Sequence, residues 1–342
     1  MSAYLAVVGE CLVDVVHSET SPPKAHVGGS PFNVAVGLAR LENNVVFAGR
    51  RGDDEYGRMI ARSLRAQGIT SLLEADDQPT SVAKATLDPT GQATYEFTLD
   101  WSLPPTERLA SLFHEVTGEP VAGPSEAVAA GPEAQIGEAL QNLDLLHTGS
   151  IAAMLQPGAD TVKALLEGAR KTATISYDPN YRPTIVPNRE VARAQAEEFI
   201  ALSDVIQAST DDIDLLYPER SHRETMNAWL ELGPALITVT RGASGAMAVA
   251  QSGFVEQDAF PIDVADTVGA GDSFMAATLA TLRSMGLLGA QSRDGLQEIS
   301  HERVAEVLRT AACAAAITSS RFGAQPPTPE ELASALNDGV FP

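Results

Sequence analysis

Asp266-Thr-Val-Gly-Ala-Gly-Asp272, followed by Ser-Phe-Met-Ala-Ala-Thr-Leu-Ala-Thr-Leu282, is a glycine-rich turn running into a helix of small and apolar residues. Gly269 and Gly271 permit close backbone approach and unusual torsions, and the N–H groups of Gly269–Asp272 at the helix start have no partner within the helix. Such groups converge on a phosphate, and the macrodipole adds roughly half a positive charge there. Asp272, in the first turn, would stand beside that anion hole, where a carboxylate accepts a proton from an attacking hydroxyl. This spacing suggests phosphoryl transfer. The same residues serve equally as a tight turn in which Asp272 only caps the helix. No Gly-Lys-Ser/Thr follows, and no Gly-x-Gly-x-x-Gly follows the first apolar run, which leaves P-loop and ordinary dinucleotide folds as weak alternatives.

Outward from this turn, short apolar runs alternate with amphipathic stretches along the chain. Strands are expected at Leu5–Val8, Val45–Ala48, Asp144–His147, Thr174–Tyr177, Val205–Gln207 and Ala235–Val239, with helical spacing over Asn33–Leu41, Tyr56–Gln67, Ala159–Lys171 and Glu190–Leu202. That alternation is the mark of an α/β fold with a mostly parallel sheet covered on both faces. Thr80–Leu99 breaks the rhythm: two strand-like runs flank Asp88-Pro-Thr-Gly91, an antiparallel hairpin with Tyr95, Phe97 and Leu99 on one face. With Cys11–Val16 it would form a small sheet over a ligand or against another subunit; the alternative is an edge extension of the main sheet. Glu115–Glu133, rich in Gly and Pro, reads as a surface loop.

A second polar segment lies near the start: Asp14 after the first strand, then Gly28-Gly-Ser-Pro-Phe-Asn33 opening a helix. A carboxylate that accepts from vicinal hydroxyls and an amide that both donates and accepts suit a neutral polyol. Taken singly, Asn33 is a helix cap and Asp14 a strand-end residue.

At these two segments the chain resembles the ribokinase-like, or PfkB-type, family of carbohydrate kinases. Gly28–Asn33 with Gly49-Arg-Arg-Gly-Asp-Asp-Glu-Tyr-Gly57 matches the first family signature and Asp266–Asp272 the second. Asp178-Pro-Asn-Tyr-Arg182, Thr240-Arg-Gly-Ala-Ser-Gly245 and Ala311–Gly323 fit between and after them. The resemblance implies a Rossmann-like core with a β-sheet lid: one kinase domain over 1–342, its lid formed by about 11–27 and 80–100. It implies ATP-dependent phosphorylation of a sugar hydroxyl, with Asp272 as base and Gly269, Ala270 and Gly271 as anion hole. Asp14, Gly29 and Asn33 would bind sugar, with Phe97 of the lid hairpin beside them; Arg182, in Asp-x-Asn-x-Arg after a strand end, would touch phosphate or sugar, the alternative being an ion pair with one of the many acids. Thr240, Gly242, Gly245 and Gly271 would line the nucleotide site. Asp266 and Thr267 resemble residues next to a monovalent cation, usually potassium. The family's Asn-x-x-Glu motif, related to Mg²⁺, is replaced by Ser209-Thr-Asp-Asp212, which leaves Asp212 for a water-mediated role. The lid of such kinases is often shared in a dimer.

Within the family, Val8-Gly-Glu-Cys-Leu-Val-Asp14 and Tyr-Glu-Phe-Thr-Leu-Asp-Trp101 most resemble bacterial fructokinases, so fructose is the expected substrate. Lys24 and Lys84, in the lid segments, leave 2-keto-3-deoxygluconate as an alternative; ribose ranks lower. A catalytically weak sugar or nucleotide sensor is the alternative of a different class, against which the Gly269–Asp272 turn speaks.

The 342 residues carry 23 Lys+Arg against 45 Asp+Glu, a net charge of -22, which argues against a nucleic-acid or anionic membrane partner. Only Cys11 and Cys313 occur, so no disulfide framework or Cys-x-x-Cys site is present, and no histidine pair has metal spacing. With no basic, apolar leader and no long apolar run, a cytoplasmic protein without a membrane span is expected.

Overall fold

The computed structural model describes residues 4–18, 21–87, 93–118, 132–339 and 341. Among these residues thirteen strands form in order: β1 (Tyr4–Val8), β2 (Leu12–Ser18), β3 (Ser21–Gly28), β4 (Val45–Ala48), β5 (Thr70–Ser71), β6 (Val82–Leu87), β7 (Ala93–Thr98), β8 (Leu143–Gly149), β9 (Thr174–Asp178), β10 (Val205–Ser209), β11 (Leu236–Thr240), β12 (Ala246–Ala250) and β13 (Gly253–Gln257). Nine make the main sheet in the order β13-β12-β11-β10-β9-β8-β1-β4-β5. It is parallel except at the β12 and β13 edge, two antiparallel strands that the sequence reading did not place.

The central strands are continuous apolar runs because both of their faces are covered. Side chains alternate across the sheet: Leu5, Val7, Val45 and Phe47 join one core cluster, Ala6, Val8, Val46 and Ala48 the other. The first face carries helices Ser30–Arg40, Glu55–Ala66, Ala270–Ser284 and His301–Ser319; the second carries Thr106–Thr117, Gly158–Ala169, Arg189–Leu202 and His222–Glu231. All six expected strands and four expected helices are present, with ends displaced by a few residues.

The other four strands form a separate sheet, β3-β2-β6-β7, so Thr80–Leu99 is not an edge extension. β6 and β7 are antiparallel and β2 lies parallel to β6. Leu12, Ala83, Phe97 and Leu99 pack with Ile151 of the main body. Val13 and Val15, on the opposite face, join the cluster containing Ile60 and Leu64. The turn Asp88–Gly91 and the side chain of Tyr95 lie outside the described residues, as does 119–131 of the expected surface loop; Glu115–Thr117 closes a helix.

β1 has β8 on one side and β4 on the other, and the chain passes through β2 and β3 before reaching β4. This is the point where strand order reverses, and in open α/β sheets ligands gather outside the carboxyl ends of the strands there. Among the described residues no helix is long and apolar enough to cross a membrane.

Candidate active site

The helix Ala270–Ser284 begins at the carboxyl edge of the sheet, and Gly269 at its N-cap has φ +76. Only glycine takes this left-handed conformation without strain, and a side chain there would run into Ala324. Ala270 N–H closes onto Thr267 O at 3.2 Å, while the N–H groups of Gly271 and Asp272 face the first turn without helical partners. Asp272 is half-buried and its two oxygens are held separately: Ser30 Oγ donates to Oδ1 at 2.6 Å and Asn33 Nδ2 to Oδ2 at 2.8 Å. Burial raises its pKa above the ordinary carboxylate value, against the opposing hydrogen bonds of Ser30 and Asn33 and the charge of Arg182. The two sequence segments, some 240 residues apart, thus meet at one carboxylate.

Three further acids surround this centre at strand ends. Asp178, ending β9, is buried and accepts from Asn180 N at 2.9 Å and Gln207 Nε2 at 3.0 Å; burial and the charges of Asp212 and Asp272 push its pKa well up. The same Gln207 amide donates to Gly271 O at 2.9 Å, tying β10 to the glycine turn. Asp212 closes a capping box with Ser209 and also accepts Tyr181 N at 2.7 Å. Glu10, just past β1, accepts Ala152 N at 3.1 Å, and burial pushes its pKa up to about 7. Arg182 is exposed, donates to Asn180 O and Tyr181 O, and lowers the pKa values of Asp178, Asp212 and Asp272.

Asp14, the other expected sugar residue, stands on β2 of the small sheet. The register aligns His26, Asp14, Ala83 and Phe97 as one row across all four strands, so Asp14 and Phe97 share a face. Burial raises the Asp14 pKa, with the charge of His26 opposing. Gly29 has φ +108, and a Cβ there would sit 2.6 Å from Glu10 O, which keeps the return from β3 pressed against the end of β1. Lys84 stands on the opposite face from Asp14, 3.8 Å from Glu96, and Lys24 is exposed.

On the other side of the glycine turn a cavity of about 490 Å³ is lined by Thr240, Gly242, Gly245, Thr267, Ala270 and Gly271, with Phe260 and Ala312 among its apolar walls. Its predicted lining residues therefore come together, adjoining the first turn that carries Asp272. Asp266 lies apart from the cavity wall: Oδ1 accepts Val268 N at 3.0 Å and Oδ2 accepts Gly323 N at 2.9 Å, which binds this loop to the end of the helix His301–Ser319.

A direct Mg²⁺ ligand does not fit Asp212, because Oδ1 takes Tyr181 N and Oδ2 takes both Ser209 N and Ser209 Oγ. No cluster of three or more His, Cys, Asp or Glu among the described residues could hold a metal ion. The donor set fits an ion that reaches the protein through water and its own anionic ligand, the usual habit of Mg²⁺. His147 is buried, bonds Ser176 Oγ at 2.9 Å, and burial pushes its pKa down to about 3, so it is a neutral core residue.

Glu10, Ser30, Asp178 and Gln207 escaped the sequence reading as site residues. Glu10, Ser30 and Asp178 lie within stretches that carry the family resemblance, and Gln207 is a polar residue in a buried strand, a usable signal; their gathering around Asp272 and Gly271 is a matter of strand order.

The sequence matches the pfkB family carbohydrate kinases over residues 2–117 and 105–331. It is 31% identical over 297 residues to a fructokinase of Salmonella typhimurium, covering 84% of this chain and 87% of that protein. In structure it is similar to a fructokinase with bound ATP from Xylella fastidiosa, TM-score 0.79 at 22% identity over 99% of both chains. It is also similar to a fructokinase double mutant from Vibrio cholerae O395 with fructose, ADP and potassium ion bound, TM-score 0.73 at 21% identity over 97% of this chain and 98% of that one. The match to the family over nearly the whole sequence, and the meeting of both its signatures at Asp272, make this chain a member of the PfkB family of carbohydrate kinases.

Proposed function

We propose that the protein transfers the γ-phosphoryl group of ATP to D-fructose, forming fructose 6-phosphate. The observation that carries the reading is Asp272, a half-buried carboxylate held by Ser30 and Asn33 at an open helix N-terminus whose first turn lines the Thr240–Gly271 cavity. Fructose in particular is supported by similarity to the fructokinase of Salmonella typhimurium. Lys84 faces away from Asp14, which removes one of the two lysines that a sugar acid would use and leaves Lys24, on the Asp14 face.

In this reading the cavity takes the nucleotide, with Gly242 and Gly245 against it, and the triphosphate points at the N–H groups of Gly271 and Asp272. These donors stabilise charge on the transferred group, aided by the helix dipole. Asp14, Gly29, Asn33, Phe97 and Arg182 surround the sugar. Asp272 takes the proton of the attacking hydroxyl; the raised pKa makes its carboxylate a better base than a solvated aspartate. The small sheet acts as the lid, and its closure excludes water that would otherwise accept the phosphoryl group. Asp212 and Asp178 would hold Mg²⁺ through water, and the ion would supply charge neutralisation on the phosphates when bound. Potassium beside Asp266 and Thr267, a homodimer through the lid, one domain over 1–342 and a cytoplasmic location complete the proposal.

Coupled ADP release with Mg–ATP over fructose, ribose, 2-keto-3-deoxygluconate, glucose and adenosine, with and without potassium, tests it. Turnover selective for fructose is expected. Selectivity for the sugar acid would replace the substrate and direct attention to Lys24 and Arg182, and no turnover on any of them would favour a sensor.

A further inference from the structure

The loop after β4, Gly49-Arg-Arg-Gly-Asp-Asp-Glu-Tyr-Gly57, touches neither the nucleotide cavity nor Asp272, yet it bonds three of the crossings between the two sheets. Where the chain leaves β1, Cys11 Sγ donates to Arg50 O at 3.3 Å. Where it enters β6, Thr80 N donates to Asp54 Oδ2 at 2.8 Å and Thr80 Oγ1 to Asp54 Oδ1 at 2.7 Å, while Gly52 N donates back to Thr80 Oγ1 at 3.0 Å. Arg50 Nη1 donates to Pro79 O at 3.0 Å and Nη2 to Asp76 at 2.7 Å. Where the chain leaves β7, Arg50 Nε stands 3.9 Å from Asp100 Oδ1. Thr80 and Arg50 are both buried, while their carboxylate partners Asp54, Asp76 and Asp100 are half-buried.

The Thr80 anchor leads to the sugar side in two steps. Ser81 O, the next carbonyl, accepts Val13 N at 3.0 Å, and Val13 precedes Asp14, whose register partner is Ala83. Ser81 Oγ also bonds Asp100 N and O, at 3.1 Å and 3.2 Å, locking the exit of β7 to the entry of β6. We propose that Thr80, gripped by Asp54, is a positioning residue for Asp14, so that the loop after β4 sets how the lid presents its carboxylate to the sugar. The inference rests on the reading of Asp14 as a sugar ligand. A group that must meet two hydroxyls tolerates little displacement, and misplacement by 1 Å can cost about 100-fold.

The experiment is steady-state kinetics on Thr80→Val, Thr80→Ser, Asp14→Asn and the double variant Thr80→Val/Asp14→Asn, with fructose varied at saturating Mg–ATP and the reverse. Valine keeps the shape of threonine but drops the bonds to Asp54 Oδ1 and from Gly52 N. Expected for Thr80→Val is a fructose KM raised about tenfold, with kcat and the Mg–ATP KM within about twofold of the parent. Thr80→Ser is expected to restore the fructose KM, and the double variant to be no worse than Asp14→Asn alone, because the effects share one route. Asp54→Asn, which keeps an acceptor at the helix cap, replaces Thr80→Val if that variant does not fold. An unchanged fructose KM in Thr80→Val beside a raised one in Asp14→Asn overturns the inference and leaves the sugar-site reading standing. Additive effects, or a rise in both substrate KM values, also overturn it. An unchanged fructose KM in Asp14→Asn removes the sugar-site reading and the inference with it.

Discussion

The main sheet and the small sheet are built from similar residues but differ in what covers them. In the main sheet, strands such as β1 and β4 are buried on both faces, and polar side chains accumulate at the carboxyl ends, where the Gln207 amide bonds both Asp178 and Gly271 O of the glycine turn. In the small sheet, one row, His26, Asp14, Ala83 and Phe97, crosses all four strands; Leu12 and Ala83 are buried against Ile151 of the body on one face, and Val13 and Val15 join the main core on the other. Apolar burial scales with contact area, so docking of the small sheet is worth far less than packing of the main one. Low local stability is what a moving cover requires. In the function proposed above, the large sheet would hold the anion hole and the base, and the small one would bring the Asp14 carboxylate to the sugar.

The largest expected effect breaks the rigid side at its chemistry. Asp272→Asn is expected to lower kcat by about 10²–10⁴-fold while leaving fructose binding measurable by calorimetry. Near-normal turnover would remove Asp272 as the base. Because burial raises its pKa, parent activity is expected to fall on acidification at a higher pH than an ordinary aspartate would dictate. The kcat/KM profile from pH 4 to 8 checks this.

Next comes packing. Phe47 is fully buried and meets Phe32 edge-on at 6.0 Å, so Phe47→Ala is expected to cost about 3–5 kcal/mol in denaturant titration. Phe97→Ala in the small sheet is expected to cost about 1 kcal/mol or less and to raise the fructose KM instead. Equal losses from the two would erase the contrast between the sheets.

A smaller effect belongs to Glu10, whose pKa is pushed by burial from 4.5 to about 7. Between these values the unfolded chain has lost its proton while the folded chain keeps it, so stability falls as pH rises from about 4.5 to about 7. The penalty is about 3 kcal/mol when complete, and it is absent below the unfolded pKa. Glu10→Gln, which retains an acceptor for Ala152 N, is expected to flatten this slope and to raise the melting temperature at pH 8. A slope unchanged by the substitution would place the titration elsewhere.

The smallest effect concerns Lys84, paired at 3.8 Å with Glu96, both exposed. Lys84→Ala is expected to change stability by no more than about 0.5 kcal/mol and to leave the fructose KM unaltered. A large rise in KM would put Lys84 in the sugar site and revive an anionic substrate.

Legibility followed the range of the interactions. Leu5–Val8, Val45–Ala48 and the glycine turn declared themselves because apolar runs and glycines act locally through burial and torsion. The hairpin around 88–91 was visible for the same reason. β12 and β13 were missed because a small-residue segment such as Ala-Met-Ala-Val-Ala carries no alternation, and its strand character comes from pairing with β11. Asp178 and Gln207 were missed because neither has chemical meaning until Gly271 O and the Asp178 carboxylate are found on the same amide.

By itself the sequence determined the βα alternation, the break at Thr80–Leu99, the glycine turn into a helix at Gly269–Asp272 and membership of a kinase family, since periodicity, turn chemistry and motif spacing are written in neighbouring residues. Only the tertiary structure decided that Asn33 and Ser30 hold Asp272, that Asp14 and Phe97 share one face while Lys84 has the other, and that Asp54 grips the root of the small sheet. These depend on strand order and register, which long-range burial selects and no local pattern records.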